Sequence, residues 1–251
     1  MRRAERDAIA GECARFNLAL YRFAQGRSDP DALSAFASAM GLHRRDVTLG
    51  ADHRGIASVR VARATRGSEM IPFTPRALNW HTDGYYNAPE RSVRGVVMHC
   101  AAPAASGGEN TLLDPDIVYA AMREEVPALV EALAHPCAMS IPAHEADGAV
   151  VRPARTGPVF RFLGDSPSLH MRYTMRTRSI RWRSTPATAR AVATLEATIA
   201  SLAAHQVHVR FEAGEGVICN NVLHRRSAFV DGEDFPRTLL RIRSFDPVRT
   251  A

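Results

Sequence analysis

From residue 56 onward, the sequence consists mainly of short β-type runs that glycine and proline interrupt. In chain order, the runs are IASVRVA, SVRGVVMHC, NTLLD, PVFRFL, LHMRYTM, VHVRFE, GVICN and RTLLRIRSF. A doubly wound α/β sheet would need strand and helix to alternate throughout, and here they do not. The order therefore predicts a mainly β fold, an antiparallel sandwich or jelly roll with flanking helices packed outside it.

Helical signals precede these runs and interrupt them at two points. Asp29 and Asp114 each stand before a proline, which is a typical helix start because aspartate caps free N–H groups and proline fits the first turn. The predicted helices cover residues 4–25, Asp29 to about Met40, Asp114 toward Glu125, and about 187–204. The sequence GRS at 26–28 and Gly41 are expected to end the first two helices.

Length and composition indicate a globular chain that buries a substantial core, since its 251 residues are 46% hydrophobic and 23% charged. Neither an internal repeat nor a low-complexity linker divides the sequence. We therefore expect a single domain over residues 1–251, with a helical N-terminal segment at about 1–45 and a β core at about 56–246.

The chain is basic, with a formal net charge of +6, but every one of its 32 basic residues is arginine. A protein that binds nucleic acid has no reason to exclude lysine, which is a competent phosphate partner, so this composition argues against a nucleic-acid partner. The start, MRRAERDAIAGECARF, lacks a signal-peptide run, and no stretch of about 18 apolar residues follows. Four cysteines without close spacing suggest free thiols in a reducing compartment. We expect a cytoplasmic protein without a membrane partner.

The triplet HTD at 81–83 has the composition of half a metal site. On an extended strand, His81 and Asp83 would point to the same face about 6.6–6.8 Å apart along the chain, close enough to reach one ion. A third ligand is available far downstream in His224, at the end of a β-type run. Two histidines and one carboxylate, with open positions, suit non-haem Fe(II) chemistry.

Arginines follow His224 on one face of the last β-type run. If residues 237–243 form a strand, one face carries Arg237, Leu239, Arg241 and Arg243 and the other carries Leu240 and Ile242. Buried guanidiniums are costly unless they meet anions, and a dicarboxylate cosubstrate would give one of them a bidentate partner. The alternative is that this face is exposed to solvent.

The densest basic stretch is RYTMRTRSIRWRS at 172–184. It is compatible with a nucleic-acid groove with stacking aromatics, a wall that recognises an anionic substrate, or a solvated strand and loop. Tyr85 and Tyr86 follow Asp83, and if the strand continues, one of them points inward near the metal and the other outward. Gly84 suggests a close approach of backbone or substrate.

An ordered set of motifs resembles a known family. HTD at 81–83, GGENTLLD at 107–114, LHRRSAF at 223–229 and RTLLR at 237–241 resemble the Fe(II)/2-oxoglutarate oxygenases of the taurine dioxygenase and clavaminate synthase-like superfamily. The resemblance covers about residues 70–246. It implies a double-stranded β-helix, which is a jelly roll, and this agrees with the strand pattern.

The resemblance also implies a catalytic centre. His81, Asp83 and His224 match the iron ligands of the family. The implied cofactors are Fe(II), the cosubstrate 2-oxoglutarate and O2, with 2-oxoglutarate converted to succinate and CO2. Relatives that halogenate lack the carboxylate ligand, so Asp83 favours hydroxylation, or desaturation, over halogenation.

The resemblance also implies residues that contact the cosubstrate or the substrate. Arg237 matches the arginine that holds the distal carboxylate of 2-oxoglutarate, and Arg241 matches a second arginine that faces substrate or cosubstrate. Asn110 stands where relatives carry a threonine that contacts the same carboxylate. Thr111 is the next residue, and a shift of one position would bring it inward instead.

The form LHRRSAF is most similar to the clavaminate synthase and amino-acid hydroxylase branch. We therefore predict an enzyme, a non-haem iron dioxygenase that hydroxylates a small polar or anionic substrate such as an amino acid or a derivative. The alternatives are a catabolic sulfonate or carboxylate oxygenase of the taurine dioxygenase type, a nucleic-acid demethylase, and a non-catalytic jelly-roll binding protein. No pattern in the sequence predicts an oligomeric state.

Overall fold

The structure is a computed structural model that describes residues 1–24, 29–47, 50–61, 71–146, 148–164, 168–176, 178–233 and 236–249. In these residues the chain is mostly β with some helices, as predicted. The helices are α1 (Arg3–Phe16), α2 (Pro30–Ala39), α3 (Pro115–Glu125), α4 (Pro127–Ala134) and α5 (Pro186–Ser201). The strands are β1 (Leu18–Arg22), β2 (Ile56–Val59), β3 (Leu78–His81), β4 (Gly95–Ala102), β5 (Ser106–Gly107), β6 (Asn110–Leu113), β7 (Met139–Ile141), β8 (His144–Ala146), β9 (Ala149–Arg152), β10 (Arg155–Gly157), β11 (Phe160–Leu163), β12 (Ser168–Met171), β13 (Arg181–Trp182), β14 (Val207–Val209), β15 (Glu215–Cys219), β16 (Leu223–Arg226), β17 (Phe229–Val230) and β18 (Thr238–Ser244).

The chain divides into two compact units. One comprises Met1–Asn79, Val93–Leu112 and Val207–Ala251, and the other comprises Trp80–Ser92 and Leu113–Gln206. The expectation of a single domain over residues 1–251 stays a prediction.

The first unit is built on an antiparallel sheet of order β1-β15-β4-β18-β2. Side chains of β4 alternate between its two faces. On one face, Val97 packs in a core cluster with Phe36 of α2 and Ile242 of β18. On the other, Met98 packs in a second cluster with Leu112 of β6. Burial of both faces explains why β4 is a nearly continuous apolar run.

The predicted first helix over residues 4–25 is wrong beyond Phe16. The helix ends there because Asn17 adopts a left-handed conformation, with φ 58°, and its N–H caps the carbonyl of Cys13. Residues 18–22 form β1 and pair with β15, so Ala19 is buried and Leu20 is exposed. The pairing of these residues with β15 outweighs the helical spacing of their apolar side chains. Residue 25 and the sequence GRS at 26–28 lie outside the described residues.

The other predicted elements are confirmed. The side chains of Asp29 and Asp114 each accept a hydrogen bond from the backbone N–H two residues later, at 3.0 and 2.9 Å, and so cap α2 and α3. Helix α5 corresponds to the predicted 187–204, and each predicted β-type run contains a strand. Helix α4 was not predicted. None of the helices in the described ranges is long and apolar enough to cross a membrane.

The arginine-bearing strand β18 contains a buried ion pair. The guanidinium of Arg243 donates to Asp46 Oδ2 at 2.5 Å, and both side chains are at most 4% exposed. One of the arginines expected to need an anion therefore has a carboxylate from within the chain. A register shift lies between Thr238 and Leu239, so the strict alternation of β18 begins at Leu239.

We expect Asp46→Ala to lower the free energy of unfolding by about 3–5 kcal/mol, because it leaves the Arg243 guanidinium buried without its carboxylate. Arg44→Ala is the matched control, since Arg44 is 70% exposed in its ion pair with Asp246. The control should cost about 0–1 kcal/mol. Urea unfolding measures both, and equal losses would contradict a special role for the buried pair.

The second unit combines three helices with small sheets. Helices α3, α4 and α5 pack against one another, and β7 lies between β10 and β13. Residues 80–82 pair with residues 173–175: Thr82 N–H donates to Tyr173 O at 3.0 Å, and Met175 N–H donates to Trp80 O at 2.7 Å. The Tyr173 N–H donates to the hydroxyl of Thr82 at 3.1 Å. Both chain segments are therefore fixed by backbone donors.

We expect Thr82→Val to destabilise the chain by about 1–3 kcal/mol, because Thr82 is fully buried and its loss leaves the Tyr173 N–H without that acceptor. Thr82→Ser is the control because it keeps the hydroxyl. Hydrogen exchange at the Tyr173 amide should speed up in the valine variant and stay slow in the serine variant. The same exchange rate in both would disprove the role of the hydroxyl.

Candidate metal centre

The two candidate ligands of the HTD motif, His81 and Asp83, lie on different backbone elements. His81 is the last residue of β3, whereas Asp83 belongs to the turn that follows, in which Gly84 has φ 69°. The expectation that both side chains project from one continuous strand is therefore wrong. The turn begins as soon as the strand ends because glycine tolerates the left-handed conformation.

His224 completes a three-residue cluster. It lies on β16, which neighbours β3 in the sheet of order β14-β6-β16-β3. His81, Asp83 and His224 each offer one ligand atom, and these atoms all lie within 4.8 Å of one another. All three side chains are buried.

The orientation of the His224 ring favours one nitrogen as a metal ligand. Its Nδ1 lies 3.0 Å from the carbonyl oxygen of Val222, so Nδ1 carries the proton that this acceptor requires. The other ring nitrogen, Nε2, is then the atom of this ring that can act as a metal ligand. A backbone carbonyl behind a ligating imidazole is the usual outer partner in metal sites.

The donor set fits a divalent transition metal. Two imidazoles and one carboxylate are the ligands of the facial triad that holds non-haem Fe(II). A carboxylate buried as deeply as that of Asp83, which is 5% exposed, is costly unless a positive charge compensates it. A bound divalent cation would supply that charge.

Arg237 and Asn110 line one cavity in the first unit. The residues that line this cavity are Cys100, Pro103, Ala104, Gly107, Gly108, Asn110, Arg210, Phe211, Arg237 and Leu239. Arg237 is 3% exposed, and its guanidinium lies 5.0 Å from the centre of the Phe229 ring. Burial lowers the pKa of Arg237. This buried cation thus lies at the wall of a small cavity, beside an aromatic ring.

The two glycines of GGENTLLD make room for this arrangement. A Cβ on Gly108, which has φ 74°, would lie 3.1 Å from Arg237 Nε. A Cβ on Gly107 would lie 2.2 Å from the carbonyl oxygen of Ala228. A side chain at either position would displace the arginine or the neighbouring strand.

Asn110 and Thr111 point to different surroundings. Thr111 Oγ1 lies 3.3 Å from His208 Nδ1, on the strand β14 that pairs with β6. Asn110 lines the cavity with Arg237, and Thr111 does not.

Arg241 is not among the residues that line this cavity either. It lies on β18 opposite Met98 and Ala57.

The same cavity contains a thiol that the sequence did not single out. Cys100 lies on β4 and is 1% exposed. Burial raises the pKa of this thiol to about 11, although the nearby charge of Arg237 opposes the shift. The thiol is therefore neutral at physiological pH.

The two tyrosines after Asp83 form an aromatic pair in the turn. Because β3 ends at His81, the expected inward and outward alternation of Tyr85 and Tyr86 does not apply. Their ring centres lie 5.1 Å apart in an edge-to-face contact. Arg176 lies over the Tyr85 ring at 5.3 Å, and Arg152, which the sequence did not indicate, lies over the Tyr86 ring at 5.7 Å.

The basic stretch at 172–184 contains arginines of different kinds. Arg172 donates to the backbone carbonyls of Tyr85, Met139 and Arg155 at 2.7–3.0 Å, so it holds chain segments together. Burial lowers its pKa to about 10. Other arginines of the stretch, including Arg178, are exposed, as the solvated-loop interpretation predicts.

Comparisons with known proteins identify a family of dioxygenases. The sequence model described as "Taurine catabolism dioxygenase TauD, TfdA family" matches residues 17–243. A uridine-5'-phosphate dioxygenase from Streptomyces sp is 27% identical, and the match covers 89% of this chain and 85% of that protein.

Solved structures show the same fold. An asparagine oxygenase in complex with Fe(II), 2S,3S-3-hydroxyasparagine and succinate has a TM-score of 0.68 at 19% identity, covering 97% of this chain and 79% of that one. The non-heme iron oxygenase OrfP, in complex with Fe and alpha-ketoglutaric acid, has a TM-score of 0.69 at 16% identity, covering 98% of this chain and 80% of that one. Since the family match spans most of the sequence, the chain belongs to the taurine catabolism dioxygenase TauD, TfdA family and is a non-haem iron dioxygenase that uses Fe(II), 2-oxoglutarate and O2.

Proposed function

We propose that this dioxygenase hydroxylates a small polar or anionic molecule such as an amino acid or a derivative, with His81, Asp83 and His224 as its iron ligands. The observation that carries the proposal is the buried cluster of these three side chains, with ligand atoms within 4.8 Å of one another. Family membership supports the same assignment.

The protein's own residues have defined tasks in this proposal. The three ligands hold the metal and leave open coordination positions for cosubstrate and O2. When bound, Fe(II) with 2-oxoglutarate supplies the oxidative chemistry that yields succinate and CO2 and oxygenates the substrate. The Val222 carbonyl keeps the His224 ring oriented, and pairing of residues 80–82 with residues 173–175 keeps His81 and Asp83 in position.

Arg237 and Asn110 are the proposed contacts of the distal carboxylate of 2-oxoglutarate. Their shared cavity and the burial of Arg237 support this role, because a buried guanidinium gains most from a bidentate carboxylate. The contact of Thr111 with His208 disfavours Thr111 as the alternative. Arg241 is the proposed second arginine, which faces substrate or cosubstrate.

The proposal includes a double-stranded β-helix as one functional domain, in a cytoplasmic protein. Likeness in fold to the two iron oxygenases supports the β architecture. One of these two, the asparagine oxygenase, was solved with 3-hydroxyasparagine, a small polar molecule, which supports a substrate of that kind. Neither a nucleic-acid demethylase nor a non-catalytic binding protein has comparable support.

A nucleoside 5'-phosphate is the second candidate substrate. The observation that favours it is the similarity to the uridine-5'-phosphate dioxygenase. A screen of amino acids, sulfonates and nucleoside 5'-phosphates for substrate-dependent succinate release would separate the candidates. Stimulation by none of these classes would refute the proposed substrate range.

Anaerobic addition of Fe(II) and 2-oxoglutarate should produce the visible charge-transfer band of the chelate, and O2 should then yield succinate. His81→Ala should abolish both, because two ligands are too few to hold the iron in the reactive arrangement. His208→Ala is the control, since His208 contacts Thr111 and is no part of the cluster. Wild-type succinate formation by His81→Ala would refute the site.

We expect Arg237→Gln to weaken 2-oxoglutarate binding about 10- to 100-fold, because it removes a charged hydrogen-bond donor. Asn110→Ala should weaken binding less than this, and Thr111→Ala should leave it nearly unchanged. Titration of the charge-transfer band measures all three. A larger effect of Thr111→Ala than of Asn110→Ala would reverse the assignment.

A further inference from the structure

We propose that the guanidinium of Arg176 binds an oxyanion of the substrate, a carboxylate or a phosphate, beside the candidate iron site. The inference rests on the proposed function, because it assigns a substrate contact to that site. It also selects one of the interpretations of the basic stretch at 172–184, the wall that recognises an anionic substrate.

Arg176 lies close to the chain segment that carries two of the candidate metal ligands, His81 and Asp83. Thr174, which precedes Arg176 by two residues, forms a β-bridge with His81. The guanidinium of Arg176 lies over the ring of Tyr85, which follows Asp83 by two residues. Residues 83–86 form one turn, and two residues span at most about 7 Å along the chain, so Arg176 stacks on the same short turn that carries Asp83.

The aromatic support of Arg176 is rigid. Tyr85 is 6% exposed, and its side chain hydrogen-bonds that of Thr174. Its ring also packs edge-to-face on Tyr86. A stacked guanidinium uses its flat face for the ring and keeps its N–H groups in the plane available for an oxyanion. Because Arg176 is itself exposed, an incoming anion can approach it.

Positive charge accumulates around this support. Burial lowers the pKa of Arg152, and the neighbouring charges of Arg155 and Arg176 lower it further. In the described part of the chain, no carboxylate forms an ion pair with Arg152 or Arg176. Like charges held together without an acid attract an anionic ligand.

Other cations in the same unit are already engaged. Arg172 donates to several backbone carbonyls, and Arg161 donates to the carbonyl of Pro89 and the hydroxyl of Ser92. The contacts of Arg172 use all three of its guanidinium nitrogens, and those of Arg161 use one. Arg176 is therefore the better candidate for substrate recognition.

The test uses the full chain loaded with 2-oxoglutarate and Zn(II), a diamagnetic substitute for Fe(II). The probes are inorganic phosphate and ¹³C-labelled acetate, and the measurement is the broadening of their NMR signals by the protein. Arg176→Gln is compared with Arg178→Gln, an exposed arginine of the same stretch. Bound 2-oxoglutarate keeps the probes away from Arg237.

We expect wild type and Arg178→Gln to broaden at least one probe, and Arg176→Gln to bind it about tenfold more weakly, as the loss of one charged contact predicts. Tyr85→Leu should weaken binding as well, whereas Tyr85→Phe keeps the ring and should weaken it less. The probe that responds distinguishes a phosphate from a carboxylate substrate.

Broadening of neither probe, or equal broadening by wild type and Arg176→Gln, would overturn the inference. Failure of the proposed function has a separate sign, which is the absence of the Fe(II) and 2-oxoglutarate absorption band in the wild-type protein. The two failures are therefore distinguishable.

Discussion

Burial of a carboxylate beside two imidazole rings is the constraint on which the structure depends. Such a group is costly to desolvate, and three side chains from distant parts of the sequence must meet with little freedom. The chain meets this requirement with backbone hydrogen bonds: residues 80–82 pair with residues 173–175, and a carbonyl orients the ring of His224.

Much of the architecture was predictable because its signals are local. An aspartate before a proline caps a helix wherever the helix packs, and an alternating apolar run favours a strand in most settings. The clustering of His81, Asp83 and His224 was predictable for a different reason. A His-Thr-Asp triplet alone is weak evidence for a metal site. His224 and Arg237 follow it in the chain, and two imidazoles with one carboxylate form the donor set of non-haem Fe(II) sites.

The features that the sequence did not reveal depend on partners far away in the chain. Helical spacing extends past Phe16, yet β15 captures the next residues as a strand. An arginine on β18 looks like an anion site until its partner Asp46 is known, because nothing near it in sequence indicates that pair. Likewise, the environments of Asn110 and Thr111 differ only because β14 lies beside β6.

The neutral thiol of Cys100 has a consequence for the durability of the enzyme. The thiolate, and not the neutral thiol, is the form of cysteine that oxidants attack. Burial raises the pKa of the Cys100 thiol to about 11, so this thiol stays in the unreactive form. It also carries no negative charge that would neutralise the guanidinium of Arg237. The wall of this cavity therefore keeps its positive charge, and the sulfur beside it reacts poorly with oxidants.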